Sequence, residues 1–319
     1  MKKIKIKFVD FWPNFNEKDN LIYDILNKKY NVEICDDPDY VICSTFGAKH
    51  LKYNDKIKIL LIGENIAPNF DLYDYIIGFY DIKFKDRYLK YNILFDKSMI
   101  ELAIKRKENK PTKFCCFVYS RNKLDQQRKY IFDKLSEYKK VDSGGRYLHN
   151  IDYKIGELKE DKVNFQKDYK FIIACENQSY PEYTSEKILE AFASGGIPIY
   201  WGDPQVDQIF NKKAFINCME YDNLDEVKQK IIELDNDDQK YMEMQRQKVF
   251  NEKIDFEKEI IKLEDFIYNI VDQDISKAKR VYLKKGFYIY EYYKKFYIVV
   301  ILNDIFVKIK TFIKKILRR

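Results

Sequence analysis

Between residues 169 and 201 the chain reads YKFIIACENQSYPEYTSEKILEAFASGGIPIYW. An apolar run ends in Cys175-Glu176-Asn177, and a polar loop follows. Tyr183-Thr184-Ser185-Glu186-Lys187 then opens a helical pattern that stops at Gly195-Gly196, before a second apolar run at 197–201. A strand that feeds a helix in this way aims backbone N–H groups and the positive end of the helix dipole at one point. Lys187 adds a full charge there, which makes the segment a place for a nucleotide diphosphate. Arg128 lies on a helical pattern after another apolar strand. It is a second fixed cation that can neutralise charge on a leaving group without a metal. Arg121, in the same SRNKLDQQR loop, competes with it, and a solvated helix arginine is the plainer alternative. Glu186 has the chemistry to accept from ribose hydroxyls, and Ser185 or Thr184 caps the helix. Glu64 follows an apolar strand and Gly63, a place where a carboxylate can take the proton of an attacking hydroxyl; a helix N-cap neighbour or a surface acid is the alternative. Trp12 and Trp201 can stack on a sugar ring, and Trp12, beside Pro13 at a strand exit, is the better placed of the two.

Metal is the rival to a pair of cations. Asp37-Pro38-Asp39 and Asp235-Asn236-Asp237 are the two Asp-x-Asp candidates, but the first precedes a strand and the second joins two polar helical segments. Both read as turns. Two histidines, His50 and His149, are too few for a His-rich site, so no metal is expected.

The elements that must position these residues alternate. Residues 3–9, 32–35, 40–43, 58–62 and 75–79 read as strands, with a helix at 20–27. Residues 114–119, 171–175 and 197–201 read as a second set of strands, with helices at 125–138, from 184, at 224–234 and at 239–248. Such alternation predicts mostly parallel α/β sheets, whose ligands lie beyond the carboxyl ends of the strands. The architecture expected is two Rossmann-like halves facing a cleft, with residues 98–112 as a connector carrying some helix.

Charge narrows the partners. The chain carries a net +7, yet residues 277–319 hold thirteen Lys/Arg against two acids, an excess of +11 that leaves −4 for the rest. No basic stripe crosses the folded part, so nucleic acid is not expected as a partner. Six cysteines without a CxxC pair read as small buried hydrophobes of a reducing compartment. Residues 1–13 lack the apolar core of a secretory signal, and the apolar run 296–302 is far short of the roughly 20 residues of a membrane span. A cytoplasmic protein is expected, at most peripheral on the inner membrane surface. Ile301, Ile305, Ile309, Phe312 and Ile316 recur at helical spacing beside Lys308, Lys314, Lys315 and Arg318. A basic amphipathic helix of this kind suits an anionic membrane; docking on the protein itself, or an oligomer contact, is the alternative.

Five blocks, in order, resemble the α-1,3-fucosyltransferase family. They are Asp10-Phe11-Trp12-Pro13, Gly63-Glu64-Asn65, residues 120–128 after a strand, Asp142-Ser143-Gly144-Gly145, and Tyr183 to Lys187 with Ile197-Pro198-Ile199-Tyr200-Trp201-Gly202. The resemblance runs from about residue 3 to about residue 270. It implies a GT-B type fold, GDP-fucose as donor, inversion at the anomeric carbon, and no obligatory metal or other cofactor. It implies Glu64 as the catalytic base, Arg128 and Lys187 on the diphosphate, Glu186 on the ribose, and Tyr183 and Asn177 on phosphate or sugar. The acceptor implied is an oligosaccharide ending in galactose-β-1,4-N-acetylglucosamine, as in lipopolysaccharide. The domains expected are an acceptor-side domain at 1–96, a connector at 97–112, a GDP-fucose-binding domain at 113–274 and the tail at 275–319. A GT-B enzyme using another sugar nucleotide, or a glycan-binding module without catalysis, is the alternative.

Overall fold

The computed structural model describes residues 1–91, 97–106, 108, 110–120, 126–156, 159–251, 255–284 and 286–316. The backbone divides into two units. The first comprises Met1–Gly78, Ile82–Tyr91 and Phe256–Arg319; the second comprises Phe79–Asp81 and Asn92–Asp255.

The first unit is built on six strands, β1 (Lys3–Val9), β2 (Asn31–Ile34), β3 (Tyr40–Cys43), β4 (Ile57–Leu61), β5 (Tyr75–Gly78) and β6 (Tyr88–Lys90). All pair in parallel, in the order β2-β1-β3-β4-β5-β6. Every residue of β3, β4 and β5 is buried, as expected of inner strands covered on both faces. Val9 pairs with Cys43, and Cys43 with Leu60, so β1, β3 and β4 end level. The chain leaves β1 for β2 on one side and returns to β3 on the other, so the strand order reverses between β1 and β3.

Helix Leu21–Lys29 starts at Asn20, whose side chain accepts from the Tyr23 N–H at 3.0 Å, and it buries Ile22, Ile25 and Leu26. Helix Phe256–Val271 belongs to the same unit and buries Leu263, Ile267, Ile270 and Val271. Each such side chain contributes about 1.5–3 kcal/mol on leaving water. The Tyr268 hydroxyl donates to the Ile25 carbonyl at 3.0 Å, and Lys29 pairs with Asp272 at 2.7 Å. The sequence counts these residues with the second domain, 113–274, and leaves open a helix near 255–275 that crosses back onto the first. Its apolar period reveals a buried stripe but not which sheet the stripe covers.

The first residues of the tail are also part of this unit. Asp74, fully buried, accepts from Lys279 Nζ at 3.0 Å and from the N–H groups of Arg280 and Val281 at 2.7 Å each. The tail continues as helix Tyr288–Ile316, and Asn69 Nδ2 donates to the Tyr293 hydroxyl at 2.6 Å. Ile301, Ile305, Ile309 and Phe312 are exposed, and so are Leu302 and Phe306, which makes the apolar surface wider than the single stripe expected. The side chains of Ile316, Lys314 and Lys315 lie outside the described residues, as does Arg318. Among the described residues, no helix is long and apolar enough to cross a membrane.

The second unit carries five parallel strands, β7 (Lys113–Phe117), β8 (Val141–Ser143), β9 (Tyr169–Cys175), β10 (Ile197–Trp201) and β11 (Ile216–Asn217), in the order β11-β10-β9-β7-β8. β9 alternates between two cores. Ile172 and Ala174 join Ile188, Phe192 and Val163 on one face, while Phe171, Ile173 and Cys175 join Ile131, Leu135, Val227 and Ile231 on the other. Helices therefore cover both faces, and the expected α/β class with two parallel sheets is what the chain forms. Helix Lys97–Ile104, in the expected connector, supplies Met99 and Ala103 to the first of these cores and so belongs to this unit. Five of the six cysteines are buried and Cys35 is partly so; all are free thiols. In this sheet the strand order reverses between β7 and β9.

Candidate active site

The carboxyl ends of β7 and β9 flank that reversal, which in open α/β sheets opens a crevice for ligands. Arg128 approaches it from helix Gln127–Ser136, in the connection that follows β7. Its guanidinium is buried. Nε and Nη2 donate to the Cys175 carbonyl at 3.3 and 3.2 Å, Nη2 also donates to Asn177 Oδ1, and the group lies 4.3 Å from the Tyr119 ring centroid. Arg128 and Asn177 are thus brought together. Arg121 lies outside the described residues.

Tyr119 braces this end of the sheet. Its hydroxyl donates to the Ile173 carbonyl at 3.0 Å and accepts from the Cys175 N–H at 2.6 Å. Burial pushes its pKa well up, so it stays a neutral phenol.

Lys187 is positioned by a residue that sequence reasoning did not single out. Glu176 has no exposed surface; its N–H donates to the Trp201 carbonyl at 2.8 Å, which locks it between β9 and β10. Gly202 follows, where any Cβ would overlap the Glu176 side chain. One Glu176 oxygen accepts from the Ser185 N–H at 2.7 Å. The other accepts from Ser185 Oγ at 2.5 Å and from Lys187 Nζ at 3.0 Å. Ser185 is the N-cap of helix Glu186–Ala193 and accepts from the Lys187 N–H. A single buried carboxylate therefore sets both the start of the helix and the place of its lysine. Burial pulls the Lys187 pKa down, but the opposed charges of Glu176 and then Glu186 outweigh it, and the ammonium stays above the ordinary lysine value.

Glu186, the first residue of the helix, lies 3.5 Å from Lys187 Nζ with its side chain about a third exposed, at 36%. Tyr183 is buried, its ring 5.2 Å from that of Phe79, so it forms a wall more than a free contact. The loop between Glu176 and the helix hangs on Asp203, which accepts from Thr184 Oγ1 at 2.6 Å and from the N–H groups of Glu182 and Gln205 at 2.8 Å each. Burial raises the Asp203 pKa, and the Thr184 hydroxyl partly offsets this. The signal that could have found Glu176 and Asp203 is similar for both: an acid one or two residues beyond a largely apolar parallel strand.

In the first unit Glu64 stands in the loop leaving β4, half-buried, three residues beyond the last strand residue. The carboxyl ends of β1 and β3, with Asp10 and Ser44, lie on the same edge of the sheet.

Neither Asp-x-Asp gathers as a site. Asp37 pairs with Lys56 at 2.6 Å, Asp235 pairs with Lys139 at 2.5 Å and Lys170 at 3.2 Å, and Asp237 caps helix Asp238–Gln245.

Residues 6–95 match the family model described as alpha-(1,3)-fucosyltransferase FucT N-terminal domain, and residues 107–266 that described as glycosyltransferase family 10 (fucosyltransferase) C-term. The chain is similar to alpha-(1,3)-fucosyltransferase FucT of Helicobacter pylori, 30% identical over 269 residues, which cover 70% of this chain and 55% of that protein. It thus spans about half the length of that relative. Two crystal structures of an alpha1,3-fucosyltransferase share its fold at 24% identity. One, at a TM-score of 0.71, covers 90% of this chain and 93% of its own; the other, with GDP-fucose, does so at 0.68, 89% and 94%. With both family models matched in order, the chain belongs to glycosyltransferase family 10, the fucosyltransferases.

Proposed function

We propose that this chain transfers L-fucose from GDP-fucose to an oligosaccharide acceptor with inversion at the anomeric carbon. The acceptor hydroxyl is the 3-OH of N-acetylglucosamine in a cell-surface glycan such as lipopolysaccharide. The observation that carries this reading is the pair of fixed cations, Arg128 and Lys187, tied through the consecutive residues Cys175, Glu176 and Asn177 at the strand-order reversal of the second sheet. Membership of the family and the H. pylori relative support the donor.

The roles are those that the family resemblance implies, written so that charge and protons balance. Glu64 takes the proton of the acceptor hydroxyl as its oxygen bonds to the fucosyl carbon. The bond from that carbon to the β-phosphate oxygen breaks, and its electron pair leaves with GDP. Negative charge grows on the diphosphate, where Arg128 and Lys187, preorganised and partly shielded from water, stabilise it. Glu186 accepts from the ribose hydroxyls, and Asn177 and Tyr183 border the phosphate and sugar. No step requires a metal.

The tail gives this enzyme a second partner, the anionic cytoplasmic leaflet. What supports it is the +11 excess over residues 277–319 together with exposed Phe296, Ile305, Ile309 and Phe312 on helix Tyr288–Ile316. About 1 kcal/mol per basic residue near such a surface is ample for peripheral attachment.

The nucleotide is tested by thermal unfolding with GDP and with UDP. A ligand at 100 times its Kd stabilises by about 2.7 kcal/mol. GDP should raise the midpoint and UDP should leave it; the reverse pattern removes GDP-fucose as donor.

A further inference from the structure

Resting on the fucosyl-transfer reading, we propose that Trp12 and Phe46 form a subsite for the non-reacting sugar of the acceptor. That sugar would be a hexopyranose with one C–H-rich face, of which β-galactopyranose is the type.

The strand order of the first sheet reverses between β1 and β3, and a ligand crevice is expected at their carboxyl ends. Those two ends carry the two rings. Trp12 is 51% exposed and Phe46 53% exposed, with centroids 6.2 Å apart and planes at 87°. Behind Trp12, Phe11 and Phe15 stack at 3.9 Å and meet its ring edge-on at 5.6 and 5.2 Å, so the indole is held from the rear and open in front.

The corner is fixed by Asp10. It adopts a positive φ of 63°, a strained region for a residue with a side chain. Its carbonyl accepts from the Phe46 N–H at 2.9 Å. Its buried carboxylate accepts from the N–H groups of Lys49 and His50 at 2.8 and 3.0 Å, and from His50 Nδ1 at 2.7 Å. Any Cβ at residue 47 would overlap that carboxylate. The strain at Asp10 thus folds the loop after β3 around the turn after β1 and sets one ring against the other.

Two perpendicular exposed rings fit a pyranose, whose C–H face lies on one ring while its edge meets the other. They fall far short of the roughly 800 Å² per partner of a stable protein interface. Neighbouring strands lie about 4.8 Å apart. The reversal is therefore roughly 7 Å, one strand and a half, from the end of β4 that carries Glu64. That spacing seats the sugar next to the one that reacts.

The test compares two acceptors at saturating GDP-fucose, methyl N-acetylglucosaminide and the methyl glycoside of galactose-β-1,4-N-acetylglucosamine. Trp12→Ala and Phe46→Ala should each raise KM for the disaccharide about five- to tenfold, leave KM for the monosaccharide and the Kd for GDP unchanged, and Trp12→Phe should restore most of the loss. Equal losses on both acceptors, or none, overturn the subsite. The chain has only two tryptophans, so in Trp201→Phe the emission reports on Trp12 alone. The disaccharide should change that emission with saturation and the monosaccharide should not. This readout needs no turnover: absence of fucosyl transfer by the native chain removes the enzymatic reading, whereas an unchanged emission removes the subsite.

Discussion

Glu176→Gln isolates the carboxylate that holds Lys187. Glutamine has the same shape but only one acceptor oxygen, and the site presents donors on both sides: the Ser185 N–H at 2.7 Å on one oxygen, Lys187 Nζ at 3.0 Å on the other. Whichever way the amide is turned, its NH2 group faces a donor. In one orientation it opposes the ammonium, in the other the start of the helix. A hydrogen bond to a charged group contributes about 1.5–3 kcal/mol, and Lys187, with its side chain 14% exposed, has room to swing toward water. The loss expected is therefore about 2 kcal/mol in GDP binding, or roughly thirtyfold in Kd. Calorimetric titration of GDP into the native protein, Glu176→Gln, Lys187→Met and the double variant reads it. If Glu176 acts through Lys187, the double variant binds no more weakly than Lys187→Met, and the coupling is of the order of the single loss. Burial also pulls on the Lys187 proton once its main counter-charge is gone, so GDP affinity of Glu176→Gln should fall as pH rises, while the native protein keeps its ammonium throughout. Additive losses and matching pH profiles would refute the reasoning.

Glu64→Gln should lower the rate of transfer by about 10²–10⁴-fold, the usual contribution of a general base, with the Kd for GDP unchanged; steady-state rates and calorimetry separate the two. Lys58 is buried in β4, 3.3 Å from Asn54 Oδ1, and burial lowers its pKa to about 8 from an ordinary 10.5. The folded state thus binds this proton less tightly than the unfolded chain, so the group costs stability below pH 8 and the cost fades as pH rises toward 10.5. Lys58→Met should stabilise by about 2–3 kcal/mol at pH 7 and by less at pH 10 in urea unfolding; a destabilised variant contradicts this. Truncation after Lys284 keeps the residues bound to Asp74 and should preserve transfer to soluble acceptors while abolishing sedimentation with anionic vesicles; retained sedimentation removes the tail as the anchor.

Much of the fold was legible because inner parallel strands are buried on both faces and so read as unbroken apolar runs. β1, β3 and β10 match the expected ranges residue for residue. The strands that were not anticipated, β6, β8 and β11, are two or three residues long, and pairing with a neighbour makes them strands, since their composition does not. Helix Lys159–Gln166, KEDKVNFQ, buries Val163 and Phe165 within a charged stretch and gives little periodicity. Arg128 and Lys187 were legible as charges near strand ends, and Asn177 as a polar residue beside one. That Arg128 meets Asn177 was not, because the two are 49 residues apart. Glu176 escaped for the same reason: an acid after a strand reads as a loop residue until the lysine eleven positions on folds back to it. The allegiance of Phe256–Val271 depended on which sheet had an uncovered face, a property of the whole chain.

The central claim is fucosyl transfer with inversion, and the product itself tests it most directly. Purified protein is incubated with GDP-β-L-fucose and galactose-β-1,4-N-acetylglucosamine, and the linkage is read by NMR. The account predicts an α-linked fucose on the 3-oxygen of N-acetylglucosamine, formed about 10²–10⁴-fold more slowly with Glu64→Gln. A β-linked product, or no transfer from GDP-fucose where another sugar nucleotide is consumed, would contradict it.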